Sequence, residues 1–574
     1  MTLRSFGTTP RQRAEFGPAD LVILIAILAL IYGGVRLALS APRVIVGPAI
    51  NLAPEALPYY TLLSVGRLIA AYVISVVFSL GYGYAAARSK MAEQGLLPLL
   101  DVLQSVPILS FLPVLLLSFS VILPEAIAVE LASIFLIVTS MVWNLAFSAY
   151  QSFSTIPRDL GEVAESFRFN PWLRFRMVEL PFAMRALIWN SLLSWAGGWF
   201  FLMAAETFAL GQRDFRLPGL GSYLQAAAQA GDSQAVAWGL VALIVTVVLL
   251  DQILWRPALA FAERYRIETV EAEEIIHSWL YDLLSRSWLV EQFLTRIWQP
   301  VGEVFDRALW RLWPWRAAGE PRERPLGGWR LLVLVLIIVA LGYGVYRAFL
   351  FLAQLPLTEW LRIGAAVGAT ASRVAIAIGL GTLWALPAGV VMGTNRRVAF
   401  VALPIVQVIA SIPATALFPV FVVALIRQAG GLNIAAILLM LLGTQWYVLF
   451  NVIAGAASIP QDLFFIAEML GLSPRLRWMT LYLPALQPYL ITGLITASGG
   501  AWNASIIAEY VVVAGQKYEV LGVGALIAES AATGDYVLLF AATLAMVVVV
   551  VAINRLLWRR LYLRAAERYR VEAL

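Results

Sequence analysis

Long apolar stretches separated by short polar segments run through the whole chain. An α-helix needs about 20 apolar residues to cross the hydrocarbon of a bilayer. Stretches of this kind lie at 20–39, 57–87, 97–119, 127–150, 187–210, 235–255, 331–350, 360–392, 399–425, 433–456, 488–513 and 537–556. The pattern predicts an all-α polytopic membrane protein with six spans in each half.

The second half of the chain repeats the first. In the polar segment after the fourth stretch the offset is 303 (462 minus 159), so that Asp159, Ala164, Glu165 and Pro171 recur as Asp462, Ala467, Glu468 and Pro474. Upstream the offset is 306, so that Arg67, Ser105 and Pro107 recur as Arg373, Ser411 and Pro413. A repeat of this length indicates two homologous domains and is too long for a solenoid.

Composition supports a membrane location. Hydrophobic residues make up 61% of the 574 positions and charged residues 13%, with a mean hydropathy of +0.82. This is more apolar surface than a soluble core could bury. Cysteine is absent and His277 is the single histidine, which excludes disulfides and makes a thiolate or histidine metal site unexpected.

Arginines flank the spans on one side of the predicted topology. They precede the first span from Arg4, follow the second at Arg88 and the eighth at Arg396, and gather after the last between Arg555 and Arg570. By the positive-inside rule these ends are cytoplasmic, and so are both termini. The net charge of +6 then belongs to juxtamembrane arginines and indicates no nucleic-acid partner.

Three segments follow from the repeat. We expect a first six-span domain at 1–256, a cytoplasmic connector at 257–329 and a second six-span domain at 330–574. The connector mixes charges with tryptophans, which is typical of amphipathic helices that lie against membrane lipid. Because it begins and ends on the same side, the two domains are parallel repeats.

The sequence shows no catalytic chemistry. There is no G-x-x-x-x-G-K-[ST] phosphate loop, since neither Lys90 nor Lys517 follows the required glycines. No Ser/His/Asp, Cys/His or paired-carboxylate arrangement stands out. We therefore expect neither an enzyme nor a chain that binds a cofactor or hydrolyses ATP itself.

The duplicated polar segments at 156–181 and 459–484 resemble the EAA loop of ABC importer permeases, a short cytoplasmic helix that docks on an ATPase subunit. The resemblance extends through nearly all of both halves. It implies two ATPase partners, which bind ATP and Mg²⁺, and a separate extracytoplasmic solute-binding protein. It also implies ATPase-coupling roles for Glu162, Ala164, Glu165, Arg168, Pro171, Ala467, Glu468, Gly471 and Pro474.

The two copies depart from the family pattern in different ways. Arg168 stands where the family usually has glycine, and Phe465 replaces the acidic residue that the first copy keeps as Glu162. A glycine there suits a left-handed helix C-cap, which costs a non-glycine residue about 1 kcal/mol. We therefore expect two inequivalent ATPase contacts, with two different ATPases or with one kind bound asymmetrically.

Further motifs resemble the nitrate/sulfonate/taurine/bicarbonate branch of these permeases. They comprise an arginine in the second span of each half, a Ser-x-Pro in the third and a Trp…Ala-Glu…Gly-x-Gly run that starts in the fifth. Candidate pathway residues are Arg67, Ser105, Pro107, Trp199, Glu206, Arg373, Ser411, Pro413, Trp502, Asn503 and Glu509.

Ionisable residues within spans are functional candidates by default. Glu206 and Glu509 fit two interpretations, a role in the pathway or a buried ion pair that holds helices together. Arg67 and Arg373 either attract an anion or serve structural pairing. The prolines are expected to kink the third and ninth spans.

The resemblance implies the permease of a type I ABC importer that brings a small anion across the bacterial inner membrane. Two alternatives stay open at this point. One is an ABC importer of another solute, such as ferric iron, phosphonate or molybdate. The other is a secondary transporter driven by an ion gradient, in which Glu206 and Glu509 would relay ions.

Overall fold

The computed structural model describes residues 47–262 except 111, 211 and 212, and residues 342–568 except 426, 427, 429, 514 and 515. Within the connector it also describes 264, 278–285, 292, 295, 296 and 299–312. Outside the connector the single positions 32 and 339 are described as well. Most of the predicted first span, of 331–341 and of the connector over 257–329 therefore lies outside the described residues.

The first half is a series of helices. Their bounds are Leu57–Arg88, Lys90–Ser105, Leu112–Ile122, Glu125–Ser154, Arg158–Ser166, Pro171–Arg174, Leu180–Glu206, Leu220–Ala230, Ser233–Leu250 and Arg256–Ala262. Two short helices, Trp279–Ser285 and Gln299–Leu312, follow in the connector.

The second half has the same order of helices. They are Leu357–Thr394, Arg396–Ser411, Ala414–Leu425, Gly431–Ala457, Gln461–Met469, Pro474–Arg477, Leu483–Ala508, Val523–Thr533, Tyr536–Ile553 and Arg559–Arg568. Residues 342–352, before the first of these, are also helical.

Eight helices in the described part are long and apolar enough to cross a membrane. They lie at Pro54–Arg88, Ile127–Ser154, Pro171–Glu206, Ser233–Ala262, Leu357–Thr394, Gly431–Ala457, Pro474–Ala508 and Tyr536–Tyr562. The predicted class, an all-α polytopic membrane protein, is confirmed. Of the predicted span at 20–39 only position 32 is described, and of the predicted span at 331–350 the described positions are 339 and 342–350, all of them helical.

The predicted third and ninth spans are not continuous helices. A helix ends at Ser105 and the next begins at Leu112, and in the second half one ends at Ser411 and the next begins at Ala414. The prediction of a kink is wrong because the chain leaves the helical conformation altogether. Val106 and Ile412 are extended, with ψ of 123° and 116°. The proline after each of them disfavours helical geometry at the preceding residue.

Two local features recur in both halves without having been predicted. The long helices contain π-helical turns at Phe175–Glu179 and Asp251–Trp255, and again 303 positions later at Trp478–Tyr482 and Asn554–Trp558. A two-stranded antiparallel hairpin follows Glu206, with Ala209–Leu210 paired to Arg213–Asp214. Its counterpart pairs Tyr510–Val513 with Gln516–Glu519.

The halves pack against each other through their broken spans. The backbone N–H of Leu109 donates to Oδ1 of Asn503 at 3.3 Å, and the hydroxyl of Thr415 donates to the carbonyl of Phe200 at 3.3 Å. A single apolar cluster contains Leu109, Phe418 and Trp502, so that the core is continuous across the two halves.

Candidate functional site

A buried ion pair lies at the end of the long helix Leu180–Glu206. Nη1 of Arg67 donates to Oε1 of Glu206 at 2.9 Å, and no part of the Glu206 side chain is exposed. Ser64 donates its hydroxyl to the same oxygen at 2.6 Å. The other face of Arg67 makes a two-pronged contact with Glu130, in which both N···O distances are 2.7 Å. The buried carboxylate is therefore charge-paired and hydrogen-bonded, as buried ions must be.

The second half has the equivalent ion pair. Nη1 of Arg373 donates to Oε1 of Glu509 at 2.7 Å, and the hydroxyl of Thr370 lies 2.8 and 3.0 Å from the two carboxylate oxygens. Nε of Arg373 donates to the amide oxygen of Asn433 at 2.9 Å. Asn433 stands where the first half has Glu130, so the second cluster carries one acidic group fewer.

The Gly-x-Gly motif in each half wraps around the buried glutamate. The backbone N–H of Gly221 donates to Oε2 of Glu206 at 2.8 Å, and that of Gly524 donates to Oε2 of Glu509 at 3.0 Å. These N–H groups open helices, so each carboxylate occupies a helix N-terminus. A Cβ at Gly219 would lie 2.3 Å from the Glu206 carboxyl, and one at Gly522 would lie 2.1 Å from Oε2 of Glu509. Only glycine allows this close approach.

Ser64, Thr370, Glu130 and Asn433 were not among the predicted site residues. A signal for them exists in the repeat, because Ser64 and Thr370 are hydroxyl residues three positions before the two arginines. Each hydroxyl also accepts from the backbone of the motif, at 3.0 Å from Leu220 N and 2.9 Å from Val523 N. The hydroxyls thus join the second-span helix to the helix that starts at the Gly-x-Gly motif.

The polar segments at 156–181 and 459–484 each contain a short helix, Arg158–Ser166 and Gln461–Met469, here termed the first and second loop helix. Two residues beyond them, Arg168 has φ of 52° and Gly471 has φ of 60°. Arg168 is the one non-glycine residue with positive φ in the described part of the chain. Both ends have the bonds of a Schellman motif, with Phe169 N to Ala164 O at 2.9 Å and Leu472 N to Ala467 O at 3.1 Å.

The other predicted coupling residues take defined positions in these segments. Within the loop helices, Ala164 and Ala467 are buried, whereas Glu162, Glu165 and Glu468 are exposed. Pro171 and Pro474 occupy the first position of the next short helix, where proline is favoured. Those helices are capped by Asn170 and Ser473, whose side chains accept from Leu173 N and Leu476 N.

The residues that lie beneath the two loop helices differ. Beneath the first lies a cavity of about 370 Å³, at whose edge the buried Glu179 pairs with Arg174 at 2.8 Å and with Arg88 at 3.2 Å. In the second half Tyr482 stands at the position of Glu179 and Phe464 at that of Gly161. Their rings lie 6.2 Å apart and form part of an apolar cluster. In the first half both charged groups and the rings of Tyr84 and Phe153 line an open space, whereas in the second half the ring of Phe464 packs against Tyr482.

The exposed faces of the loop helices also differ. The first presents the carboxylates of Glu162 and Glu165 beside Val163 and Phe167. The second presents Phe465 and Ile466 and, at its end, Met469 and Leu470, of which Met469 is 88% exposed. The first face is mixed and acidic, whereas the second is mainly apolar.

A small cavity of about 70 Å³ lies between the halves. Phe200 and Phe201 line it from the first half, and Pro413, Trp446 and Tyr447 line it from the second. Of the predicted pathway residues, Pro413 lines this cavity, and Asn503 accepts a hydrogen bond from the backbone N–H of Leu109. Four others form the two buried ion pairs, Arg67 with Glu206 and Arg373 with Glu509. Trp199 and Trp502 are buried in the core. Ser105 and Ser411 end the helices before the breaks, and Pro107 lies within the first break and is buried.

The five aromatic residues that line this cavity were not predicted; they are Phe200, Phe201, Trp446, Tyr447 and Phe450. The sequence signal was a mismatch between the halves, since Phe200 and Phe201 correspond to Asn503 and Ala504 at the offset of 303. Among the described residues, no group of three or more histidine, aspartate or glutamate side chains is placed to hold a metal ion.

Comparison with known proteins agrees with this architecture. The family model of the binding-protein-dependent transport system inner membrane component matches residues 53–255 and 378–561. The chain is 32% identical over 144 residues to the bicarbonate transport system permease protein CmpB of Synechocystis sp., a match of 25% of this chain and 50% of the relative.

Two further relatives show the same extent of similarity. The nitrate import permease protein NrtB of Synechocystis sp. is 28% identical over 150 residues, 26% of this chain and 53% of the relative. The taurine transport system permease protein TauC of Escherichia coli is 27% identical over 155 residues, 27% of this chain and 53% of the relative. The chain thus spans about half the length of these relatives. Because the family model matches in both halves and over most of the chain, the protein belongs to the binding-protein-dependent transport system inner membrane components and carries their domain twice.

Proposed function

We propose that this chain supplies both halves of the membrane-spanning part of an ABC importer for a small anion. Each loop helix docks one ATPase subunit on the cytoplasmic side, and a solute-binding protein delivers the solute from outside. The observation that carries the proposal is the pair of loop helices. Each lies between two membrane-spanning helices, ends in a left-handed residue and exposes a glutamate, Glu165 or Glu468.

Each loop helix is connected to a long membrane-spanning helix. Each is joined by a short capped helix and a π-helical turn to a long helix, Leu180–Glu206 or Leu483–Ala508. The first of these is 27 residues long, which corresponds to about 40 Å. A rigid-body movement of an ATPase would therefore be transmitted to the opposite side of the bilayer.

We place the solute pathway between the halves, at the cavity lined by Phe200 and Pro413. The break in the ninth span lines this cavity at Ile412 and Pro413, and irregular backbone at membrane depth is tolerated where it is buried in protein or lines a cavity. The carboxylates of Glu206 and Glu509 are fully buried and occupied by hydrogen bonds. This supports a role in holding helices together and gives no support to an ion relay.

The remaining assignments rest on the relatives and on the charge pattern. The relatives are named as bicarbonate, nitrate and taurine permeases, which supports a small anion as the solute.

Arginines such as Arg88 and Arg396 lie at the same ends of the spans as the loop helices, so we place these ends, both termini and the connector in the cytoplasm. The protein would lie in the bacterial inner membrane, with 1–256 and 330–574 as its two domains.

Co-purification from the native membrane tests the ATPase contacts. We expect an ATPase to accompany the wild-type chain and to be lost from the double variant Glu165→Arg/Glu468→Arg. Glu55→Arg reverses an exposed charge at the start of the first long helix and serves as the matched control. Absence of an ATPase from the wild type, or its retention by the double variant, would contradict the proposal.

A further inference from the structure

One helix of the connector, Gln299–Leu312, contacts the first loop segment. Nε1 of Trp172 donates to Oδ1 of Asp306 at 2.7 Å, and Arg176 forms an ion pair with the other oxygen of the same carboxylate. Gly302 lies one turn earlier on this connector helix. A Cβ at Gly302 would meet Nη2 of Arg176 at 3.0 Å, so the glycine leaves room for the guanidinium.

The second half lacks the residues that make this contact. At the offset of 303, Arg475 stands in place of Trp172 and Met479 in place of Arg176. Met479 is 61% exposed. Met479 offers neither a hydrogen-bond donor nor a charge to a carboxylate, so the ion pair that Arg176 makes has no counterpart at that position.

The contact lies in the segment whose loop helix stands over a cavity. This cavity of about 370 Å³ lies beneath the first loop helix, and the ion pairs of Glu179 lie at its edge. In the second half the ring of Phe464, which stands in place of Gly161, packs against Tyr482 with 6.2 Å between the ring centroids. A loosely packed support transmits movement less faithfully than a close-packed one.

We propose that Asp306 is a positioning residue for the first ATPase contact. Its carboxylate fixes Trp172 and Arg176 to the connector helix, and this attachment supports the first loop segment, where a cavity stands in place of the contact between Phe464 and Tyr482. The first loop helix then moves together with the connector, while the second moves with its own core. This inference rests on the proposed docking of ATPases at the loop helices.

A distance measurement tests the attachment without any ATPase. Because the chain has no cysteine, Ser166→Cys and Glu303→Cys place two spin labels at defined exposed positions on the two segments. We expect one narrow distance distribution in the purified full chain, and a broad one after Asp306→Ala or Arg176→Met. The variant Met479→Arg, at the equivalent position of the second loop, should leave the distribution unchanged. A narrow distribution in the Asp306→Ala chain would overturn the proposal.

ATP hydrolysis by the co-purified complex tests the consequence. We expect Asp306→Ala and Arg176→Met each to lower hydrolysis about three- to tenfold at an unchanged amount of bound ATPase, which lies within the range seen when residues between coupled sites are altered. The charge exchange Asp306→Arg/Arg176→Asp should recover part of the rate, because it restores the ion pair but not the Trp172 hydrogen bond. Wild-type rates in both single variants would overturn the positioning role.

The two measurements separate the possible failures. If no ATPase accompanies the wild-type chain, the proposed function fails, and the positioning role fails with it even where the label distances show the attachment. If ATPase binds and the distances do not respond to Asp306→Ala, the positioning role alone is wrong.

Discussion

Arg67 and Glu206 form an ion pair of 2.9 Å although 139 positions separate them in the chain. The pair lies at the far end of the helix that begins near the first loop helix, so that the two features mark opposite ends of one membrane-spanning element. The pair of Arg373 and Glu509 lies at the corresponding end in the second half. Each half is thus tied together at the end remote from its loop helix.

The second ion pair is expected to be more sensitive than the first to removal of its glutamate. After Glu206→Gln, Arg67 keeps a carboxylate partner in Glu130, whereas after Glu509→Gln the side-chain partner left to Arg373 at Nε is the neutral Asn433. Breaking a buried ion pair costs about 3–5 kcal/mol when one charge is left without compensation. We expect Glu509→Gln to lower the Tm of the detergent-purified chain more than Glu206→Gln does. Glu55→Gln is the exposed control, and equal losses in the two buried variants would contradict this explanation.

Alanine should not be tolerated at the glycine that covers each buried carboxylate. The Cβ of Gly522→Ala would lie 2.1 Å from Oε2 of Glu509, a distance that forces the carboxylate or the backbone to move. We expect this variant to lower the free energy of unfolding by about 1–3 kcal/mol, as overpacking does. Gly66→Ala provides the control, since nothing lies within 4 Å of its added Cβ. A Gly522→Ala chain as stable as Gly66→Ala would show that the carboxylate can move aside.

Gly471 is expected to matter for its backbone conformation alone. Its φ is 60° and nothing lies within 4 Å of a Cβ added there, so Gly471→Ala should cost about 1 kcal/mol through the left-handed conformation. Gly499→Ala also meets no atom and has no positive φ, which makes it the matched control. Thermal unfolding of the two purified variants gives the comparison. No difference between them would mean that the second loop helix ends differently in solution.

Acid should remove the stabilisation that Glu529 provides at the hairpin of the second half. Its carboxylate accepts from Arg362 and from Lys517, each at 2.9 Å. Burial alone would raise the pKa of Glu529, but the hydrogen bonds and positive charges of Lys517 and Arg362 outweigh burial and hold this pKa below its ordinary value. The contribution is therefore complete above the ordinary carboxyl pKa and is lost as the pH falls through the folded-state value.

The measurement is the difference in Tm between the wild type and Glu529→Gln as a function of pH. We expect the wild type to be more stable at neutral pH and the difference to shrink towards about pH 3. Glu55→Gln should show no such change, because Glu55 is exposed and has no ion pair among the described residues. A difference that grew on acidification would contradict the assignment.

Local patterns in the sequence were enough to predict the class of the fold and the place of the loop helices. Apolar stretches of membrane-spanning length depend only on neighbouring residues, and the offset of 303 in the polar segments is found by comparing the sequence with itself. An irregularity near Ser105 could also be expected from the local sequence, because the proline at position 107 disfavours helical geometry at the residue before it. It was nevertheless expected as a kink, since the sequence alone does not show whether neighbouring helices will support an interrupted one.

The partners within the ion-pair clusters depend on tertiary packing. Ser64 and Glu206 meet across 142 positions, and no local period connects them. The difference in packing beneath the two loop helices could not be predicted from the sequence either. It depends on Gly161 lying near Glu179 in the first half and on Phe464 lying near Tyr482 in the second, and these contacts form only in the folded chain. In hindsight the useful signal was each position at which the two halves differ in chemistry.

Covalent linkage of the halves gives this protein a freedom that a homodimer lacks. In a homodimer, any substitution that adapts one loop helix appears at once in the other, because a single gene encodes both. Here the connector runs in one copy, and its carboxylate at Asp306 meets one loop segment. A single polypeptide can therefore accumulate one-sided specialisations and still assemble with fixed stoichiometry, without any need to sort two kinds of subunit in the membrane.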